Sequence, residues 1–462
     1  MFMVMGLLTG ALLTATVAPP EIYGPVPSPQ QLAWQRMEYG MFCHFGINTF
    51  FDEEWTDGTK DPKTFLPTEF NGRQWVETAK KAGMQYLIVT AKHHDGFSIY
   101  PTEHGDYNVK ASPWRDGKGD ALREVADACH ELGLMLGVYL SPWDRHDPLY
   151  DDPPVYDERF KAMLTELLTW YAPVGEVWFD GAGSKGHVYD WNGYYSLIRE
   201  LAPDALIAIC GPDIRWIGNE DGLAPDTLWN VQEVTLPIPG AESGGEKRWY
   251  PSECDVPIRK GQWFYHTDGA ANLRSLEELL EIYYRSVGLG AALLLNVSPD
   301  RRGQLPQADT QRLLEFGEVI RDTFNNNLAA RALTSASNIR GNSKAFAPAN
   351  ATDGLEDTYW ATNDGIHEAW LQLLFGEDRV FDRIVLQEHL PLGQRVKAHE
   401  IQAFVGNDWK TIATGTTIGY KRIHRLPEVK ARRIRVHITD AFAPPAIEQI
   451  GLYKASPRET PY

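Results

Sequence analysis

The chain has 462 residues, and its 62 acidic side chains exceed its 44 basic ones, which gives a formal net charge of -18. A chain of this length is expected to form two domains, with a barrel of roughly 250 to 300 residues and a smaller module. The acidic balance argues against nucleic acid and against an anionic membrane surface as partners.

The first segment of the chain, 1–18, holds an apolar run that is too short to span a bilayer securely. It resembles part of a signal peptide, and on that basis we expect a secreted or periplasmic protein. No Lys or Arg precedes the run, so a misassigned start codon is the alternative interpretation. No later segment is predicted to span a membrane.

Between residues 25 and 326, short apolar runs alternate with amphipathic stretches, which is the pattern of a parallel sheet with helical crossovers. Helices are predicted over 75–82, 121–132 and 159–171, each followed closely by Gly or Pro. Eight apolar runs predict eight strands, namely 40–45, 86–91, 135–140, 176–180, 205–210, 228–231, 263–266 and 291–297. We therefore expect an α/β fold with a (β/α)8 or TIM barrel over 25–326, irregular around strands 5 and 6.

Chemically versatile side chains lie at the ends of several predicted strands. They are His44, His93, His94, Tyr139 and Asp180. One such residue is more often structural, but the carboxyl ends of barrel strands meet at one mouth, where active sites are built. His93 and His94 are adjacent and should diverge, so we expect no metal in the barrel. Neutral imidazoles, each with one donor and one acceptor, suit sugar hydroxyls instead.

Asp180 is the candidate nucleophile, although Asp-Gly is also a common turn pair. Retaining glycoside hydrolysis needs a second carboxyl group, which acts first as an acid and then as a base. Four acids in the loops after the fifth strand are candidates, and spacing alone does not choose among them. They are Glu220, Glu233, Glu246 and Glu253.

Five motifs in this half of the chain resemble those of the α-L-fucosidases of glycoside hydrolase family 29. They are MEYGMFCHFG at 37–46, EW at 54–55, KHHDGF at 92–97, GVYLSP at 137–142 and WFDG at 178–181. The resemblance, which runs over 31–324, implies that Asp180 is the nucleophile. It also implies a fucose pocket made by His44, Glu54, Trp55, His93, His94, Tyr139 and Trp263. The loop RWIGNE at 215–220 is similar to the subgroup that cleaves α-1,3 and α-1,4 branches, which makes Glu220 the expected acid/base.

The resemblance implies an exo-acting, retaining α-L-fucosidase that needs no cofactor. Its partners would be fucosylated oligosaccharides or glycoconjugates, such as Lewis-type glycans. Two alternatives stay open at this point. One is a non-catalytic fucose-binding protein on the same scaffold, and the other is a glycosidase for a related sugar.

After three asparagines at 325–327, short alternating strands separated by turns predict a β-sandwich over 327–455. Segments 350–354, 358–360 and 447–453 resemble discoidin, or coagulation factor 5/8 type C, modules and their carbohydrate-binding relatives. The resemblance implies a structural calcium near Asp353 and Glu448, with a simple Asx-turn as the alternative. Trp360, Trp370, His389 and Arg395 are candidate sugar contacts. A purely structural sandwich is the alternative.

The four cysteines, Cys43, Cys129, Cys210 and Cys254, are scattered without metal-type spacing. They are therefore predicted to be buried free thiols rather than disulfides or zinc ligands.

Overall fold

The computed structural model describes residues 17–233 and 246–459. The predicted signal peptide, 1–18, lies outside the described residues except for its last two positions. Within the described ranges, none of the helices has the length and apolarity needed to cross a membrane. The chain forms a parallel barrel followed by an antiparallel β-sandwich, which confirms the predicted fold class.

In the first domain, within the residues that the structure describes, eight parallel strands make a nearly closed barrel, and two further strands form a separate hairpin. In chain order the strands are β1 (Tyr39–Cys43), β2 (Tyr86–Lys92), β3 (Met135–Leu140), β4 (Glu176–Phe179), β5 (Leu206–Ile209), β6 (Arg215–Trp216), β7 (Val231–Glu233), β8 (Lys247–Trp249), β9 (Ser252–Pro257) and β10 (Ala292–Asn296). The barrel order is β5-β4-β3-β2-β1-β10-β9-β6, while β7 and β8 pair with each other. A parallel bridge between Ala208 and Ile214 joins the two ends of the sheet.

Helices pack around the outside of this sheet because alternate residues of each strand face opposite ways. In β2, Tyr86 and Ile88 contact the apolar interior of the barrel, whereas Leu87 and Val89 pack against the helices. The helices are α1 (Pro29–Met37), α2 (Gly72–Lys81), α3 (Ala121–Leu132), α4 (Pro153–Trp170), α5 (Trp191–Leu201), α6 (Leu276–Arg285) and α7 (Gln307–Phe324). The bounds of α3 agree with the prediction, because Gly133 ends the helix with a left-handed φ of 74°.

The predicted sixth and seventh barrel strands, 228–231 and 263–266, are wrong. In the barrel, β6 and β9 occupy the positions of the sixth and seventh strands. Residues 263–266 lie in the loop after β9. Strand β9 has the sequence SECDVP, and its Glu253 carboxylate accepts hydrogen bonds from Tyr86 Oη (3.0 Å) and Trp178 Nε1 (2.9 Å) inside the barrel. A search for apolar runs misses a strand that carries its polar residues inward.

The carboxyl-terminal part of the chain, from Leu333 to Tyr453, is one antiparallel sheet that closes into a sandwich. Its strands are β11 (Leu333–Ala336), β12 (Trp360–Ala361), β13 (Ala369–Glu388), β14 (Val396–Val405), β15 (Asp408–Gly415), β16 (Arg422–Ala441) and β17 (Ala446–Tyr453). They lie in the order β12-β17-β13-β16-β14-β15, with β11 beside β13. Register shifts interrupt the pairing of the two 20-residue strands, β13 and β16, and such bulges bend a sheet over its core.

The sandwich contacts the barrel near the amino end of β1. Glu38, which directly precedes this strand, accepts hydrogen bonds from Tyr420 Oη (3.2 Å) and from Lys421. A second ion pair joins Arg425 to Glu281 of α6 at 2.6 Å. In a parallel barrel the amino ends lie opposite the mouth. The sandwich therefore packs against the side of the barrel opposite the mouth.

Candidate active site

The carboxyl ends of the barrel strands surround a cavity of about 740 Å³. Eight of the nine predicted site residues line it, namely His44, Glu54, Trp55, His93, His94, Asp180, Glu220 and Trp263. The ninth, Tyr139, is fully buried and donates a hydrogen bond to Asp180 Oδ2 at 3.0 Å. The structure therefore brings all nine predicted residues together.

Asp180 directly follows β4, and about a quarter of its side chain is exposed to the cavity. Its Oδ1 accepts from the Ala182 backbone N–H at 2.8 Å, and its Oδ2 lies 3.0 Å from Tyr139 Oη and 3.4 Å from His94 Nε2. Burial favours the protonated acid, but the interactions with His94, Ala182 and Tyr139 outweigh burial and hold the pKa of Asp180 below its ordinary value. The carboxylate is therefore ionised at neutral pH.

His44 is held in one orientation by Asn296. The Asn296 Oδ1 lies 2.9 Å from His44 Nδ1 and also accepts from the His44 backbone N–H at 3.3 Å. Burial lowers the pKa of His44 to about 4, so its ring is neutral at pH 7. With Nδ1 as the donor to Asn296, Nε2 is an acceptor on the cavity side.

His93 and His94 have different surroundings. His94 Nδ1 lies 2.6 Å from Ser141 Oγ, whose own hydroxyl donates to the Trp143 carbonyl at 2.7 Å. His93 stacks on Tyr139, with 5.4 Å between ring centroids, and burial lowers the pKa of His93 well below its ordinary value. Its Nδ1 is buried and has no hydrogen-bond partner among the residues that the structure describes.

Glu54 organises the loop after β9. Its Oε2 accepts from the backbone N–H groups of Trp263 (3.0 Å) and Phe264 (3.2 Å), and its Oε1 lies 2.7 Å from His266 Nε2. Burial is the largest influence on Glu54 and raises its pKa. Because both oxygens already have partners in this loop, Glu54 holds Trp263 against the cavity although 263–266 is not a strand.

Of the four loop acids, Glu220 alone lines the cavity within the described ranges. Glu220 is exposed, and its Oε2 accepts from Trp263 Nε1 at 3.2 Å. Glu233 and Glu246 are exposed on the β7–β8 hairpin. Glu253 is buried inside the barrel below the cavity.

Several residues that line the cavity were not predicted as site residues from the sequence. They are Phe42, Trp178, Ile209, Cys210, Arg215, Trp216, Tyr250 and Asp255. Ile209 has a φ of 68°, which is rare for a β-branched residue, and it starts the tight turn between β5 and β6. Such strain tends to mark functional sites, but only the folded backbone displays it.

The candidate contacts in the sandwich occupy structural positions. Trp360 and Arg395 are fully buried, and Arg395 donates to the carbonyls of Leu392 and Pro444. They are therefore not loop contacts for a sugar. His389 lies 2.8 Å from Glu448 and stacks on Tyr359. Trp370 is half-buried under the guanidinium of Arg435.

The two predicted calcium ligands already have protein partners. Asp353 Oδ1 accepts from the Leu355 N–H at 2.9 Å and lies 2.9 Å from Thr358 Oγ1, as in an Asx-turn. Glu448 faces His389 and lies 3.8 Å from the guanidinium of Arg36. A nearby cation disfavours calcium, so these residues do not fit a calcium site as they stand. Within the described ranges, no group of three or more His, Cys, Asp or Glu side chains is placed to hold a metal ion. All four cysteines are free, as predicted, but only three are fully buried, because Cys210 borders the cavity.

Comparison with protein families gives two matches in chain order. A family model described as alpha-L-fucosidase matches residues 26–323, and one described as F5/8 type C domain matches residues 332–450. The chain is also similar to alpha-L-fucosidase 1 of Arabidopsis thaliana. The two are 41% identical over 445 residues, which covers 93% of this chain and 87% of the plant protein.

Solved structures resemble both halves of the chain at once. SpGH29 is 41% identical, with a TM-score of 0.88 over 94% of this chain and 100% of that one. A fucosidase of glycoside hydrolase family 29 from Ruminococcus gnavus, solved in complex with fucose, is 34% identical. Its TM-score is 0.87, over 96% of this chain and 98% of the other.

Proposed function

This chain belongs to the α-L-fucosidases of glycoside hydrolase family 29, and we propose that it releases terminal α-L-fucose from α-1,3 or α-1,4 branches of Lewis-type glycans with retention of configuration. It is a glycoside hydrolase, and its substrates are fucosylated oligosaccharides or glycoconjugates. The linkage preference, the retention of configuration and the roles of single residues are the proposed part. The resemblance of 1–18 to a signal peptide supports a secreted or periplasmic location.

One observation carries the mechanism. An ionised carboxylate, Asp180, and an exposed carboxyl group, Glu220, line the same cavity and are held by different partners. Retaining hydrolysis needs two carboxyl groups with different protonation at the same bond. The donors around Asp180 suit a group that must stay ionised until it attacks.

In the proposed mechanism, Asp180 attacks the anomeric carbon and the glycosidic bond breaks. Glu220 gives its proton to the leaving oxygen, so that the released sugar departs as a neutral alcohol. A water molecule then loses a proton to Glu220 and attacks the anomeric carbon of the fucosyl ester, which frees Asp180. Two inversions at the same carbon give net retention.

The remaining predicted residues would bind the fucose ring. Nε2 of His44 is an acceptor, and the rings of His93 and His94 also border the cavity, so these three would bind hydroxyls. The indoles of Trp55 and Trp263 would cover apolar parts of the ring, including its methyl group. The fucose-bound relative from Ruminococcus gnavus supports fucose as the sugar held here. Glu54 would act through the loop that carries Trp263.

The test measures fucose release from a Lewis-type trisaccharide, from an α-1,2-linked fucosyl disaccharide and from 4-nitrophenyl α-L-fucoside. We expect wild-type release from the trisaccharide and from the nitrophenyl substrate. Asp180→Ala should keep less than about one-hundredth of the wild-type rate on both, because loss of a nucleophile removes far more than that. Glu220→Ala should lose more on the trisaccharide than on the nitrophenyl substrate, because nitrophenolate leaves without a proton.

The matched control is Glu246→Ala, which removes an exposed acid from the β7–β8 hairpin outside the cavity. It should leave both rates unchanged. Azide distinguishes the nucleophile from the acid/base, because this anion can attack the anomeric carbon in a variant that lacks either carboxylate. With Asp180→Ala it should give the inverted β-fucosyl azide, and with Glu220→Ala the retained α-fucosyl azide. Full activity of Asp180→Ala would contradict the mechanism, and preference for the α-1,2 disaccharide would contradict the linkage.

A further inference from the structure

A second buried carboxyl group, Asp255, borders the cavity and has no part in the mechanism above. It lies on β9, where side chains alternate between the barrel interior and the outer layer. Glu253 points inward and binds Tyr86 and Trp178, whereas Cys254 packs outward against Ala224 and Leu228. Asp255 therefore also faces inward, two residues closer to the mouth than Glu253. It lines the mouth with 5% of its surface exposed.

Trp216 is the partner of this carboxyl group. Its Nε1 donates to Asp255 Oδ1 at 2.7 Å, across the pairing of β6 with β9. Among the described residues, this is the one side-chain hydrogen bond that Asp255 makes. The indole of Trp216 is 40% exposed and also lines the cavity. The pair therefore presents one open carboxyl oxygen and one exposed aromatic ring.

The protonation state of Asp255 determines whether its second oxygen donates or accepts a hydrogen bond. Burial is the largest influence, and together with the charges of Glu253 and Glu220 it outweighs the hydrogen bond from Trp216 and raises the pKa of Asp255 to about 8. The group is therefore mainly an uncharged acid at pH 7. Because Oδ1 accepts from Trp216, the other oxygen carries the proton and can donate to a ligand hydroxyl.

Glu220 connects this pair with the reaction. It follows Trp216 by four residues and lines the same cavity, and its charge acts on Asp255. If Glu220 protonates the glycosidic oxygen, the sugar that departs must lie next to Glu220, and Asp255 and Trp216 are beside it. This step depends on the role of Glu220 under the proposed function.

We propose that Asp255 and Trp216 form the subsite for the departing sugar. Asp255 donates a hydrogen bond to one of its hydroxyl groups, and the exposed face of Trp216 packs on its ring. The ligand class is an uncharged pyranose with a free hydroxyl near the glycosidic oxygen. Asp255 also positions Trp216, because its Oδ1 fixes the indole N–H.

The test compares two substrates that both need a proton from the acid. One is the fucosylated oligosaccharide that the wild type cleaves fastest, and the other is methyl α-L-fucoside, whose leaving group has neither a hydroxyl for Asp255 nor a ring for Trp216. Asp255→Ala and Trp216→Ala should each lower kcat/KM on the oligosaccharide about tenfold relative to methyl fucoside, as expected for one lost hydrogen bond or ring contact. The loss should appear mainly in KM.

Asp255→Asn is the conservative variant, because its amide keeps an acceptor for Trp216 and a donor for the sugar. It should recover most of the activity that Asp255→Ala loses on the oligosaccharide. Trp170→Ala is the matched control, since Trp170 is also 40% exposed but lies at the end of α4. It should leave the ratio of the two substrates unchanged. Trp216→Ala tests the subsite even where Asp255→Ala does not fold.

Equal losses on both substrates would overturn the proposal, because Asp255 would then act through Glu220 or on fucose itself. An unchanged ratio in both variants would overturn it as well. Failure of the proposed function looks different, because the wild type would then prefer the α-1,2 disaccharide, or Glu220→Ala would keep its full rate on the trisaccharide.

Discussion

At the mouth of the barrel, His93 has a buried Nδ1 without a hydrogen-bond partner among the described residues, and Asp255 has one open oxygen. In the sandwich, the equally buried carboxylate of Glu388 accepts from the backbone N–H groups of Gly419 (2.7 Å), Val396 (2.9 Å) and Arg395 (2.7 Å). Both regions bury polar groups at similar depth. They differ in whether the protein itself supplies the partners.

This difference distinguishes buried polar groups that stabilise the fold from buried polar groups that can bind a ligand. A buried polar group without a partner is destabilising, and in the described part of the chain such atoms also occur away from the cavity, for example Glu176 Oε1 in the barrel and Arg435 Nε in the sandwich. Beside the cavity, a bound ligand can provide the missing contact. The sandwich uses its buried acids and histidines to tie its own backbone together. At the mouth, one oxygen of Asp255 has no side-chain partner among the described residues, and we expect a sugar hydroxyl to bind it.

The largest effect is expected for Glu388→Ala in the sandwich, which tests this comparison directly. The substitution leaves three buried N–H groups without an acceptor, so we expect the free energy of unfolding to fall by about 3 to 5 kcal/mol. Urea unfolding measures this loss, and kcat/KM on 4-nitrophenyl α-L-fucoside should not change. Glu377→Ala, on an exposed part of the same strand, should cost less than about 0.5 kcal/mol. A large fall in kcat/KM for Glu388→Ala would contradict the division of roles.

The second test uses pH. His399 Nδ1 lies 3.0 Å from the Thr416 carbonyl, and its Nε2 lies 2.8 Å from His424 Nε2, so His399 donates to the carbonyl and accepts from His424. Burial lowers the pKa of His399 to about 4, below the value near 6.5 of an unfolded chain. The unfolded state therefore binds the extra proton first as the pH falls.

From this single group, stability should decline by about 2 to 3 kcal/mol between pH 6.5 and 4.5. Urea unfolding of the wild type and of His399→Leu at both pH values measures the contribution. The variant should be less stable at pH 7 but should lose less on acidification. Identical pH dependence in the two proteins would show that His399 does not titrate in this window.

The smallest effect on stability is expected at the mouth, for His93→Phe. Phenylalanine keeps the ring that stacks on Tyr139 and removes the unpartnered Nδ1, so stability should stay the same or rise by about 1 kcal/mol. At the same time kcat/KM should fall about 10- to 100-fold, because a hydroxyl contact is lost. His399→Phe, the same exchange in the sandwich, should lower stability and leave kcat/KM unchanged.

Much of the site could be predicted from the sequence because its residues follow strands that are recognisable locally. The apolar runs of β1 to β4 are short and continuous, and each ends in a polar residue such as His44 or Asp180. In a parallel barrel such ends converge on one mouth, so position along the chain is enough to gather them. Strands β6 and β9 were missed because one has two residues and the other carries acids inward.

The sequence alone determined the barrel and sandwich classes, the family resemblance and the set of residues at the early strand ends. Those features depend on local periodicity and on contiguous motifs. Only the tertiary structure decided that Glu220 reaches the cavity while Glu253 lies inside the barrel, and that Asp255 meets Trp216. These placements depend on the pairing of β6 with β9, which are separated by the β7–β8 hairpin, and no local pattern encodes that long-range pairing.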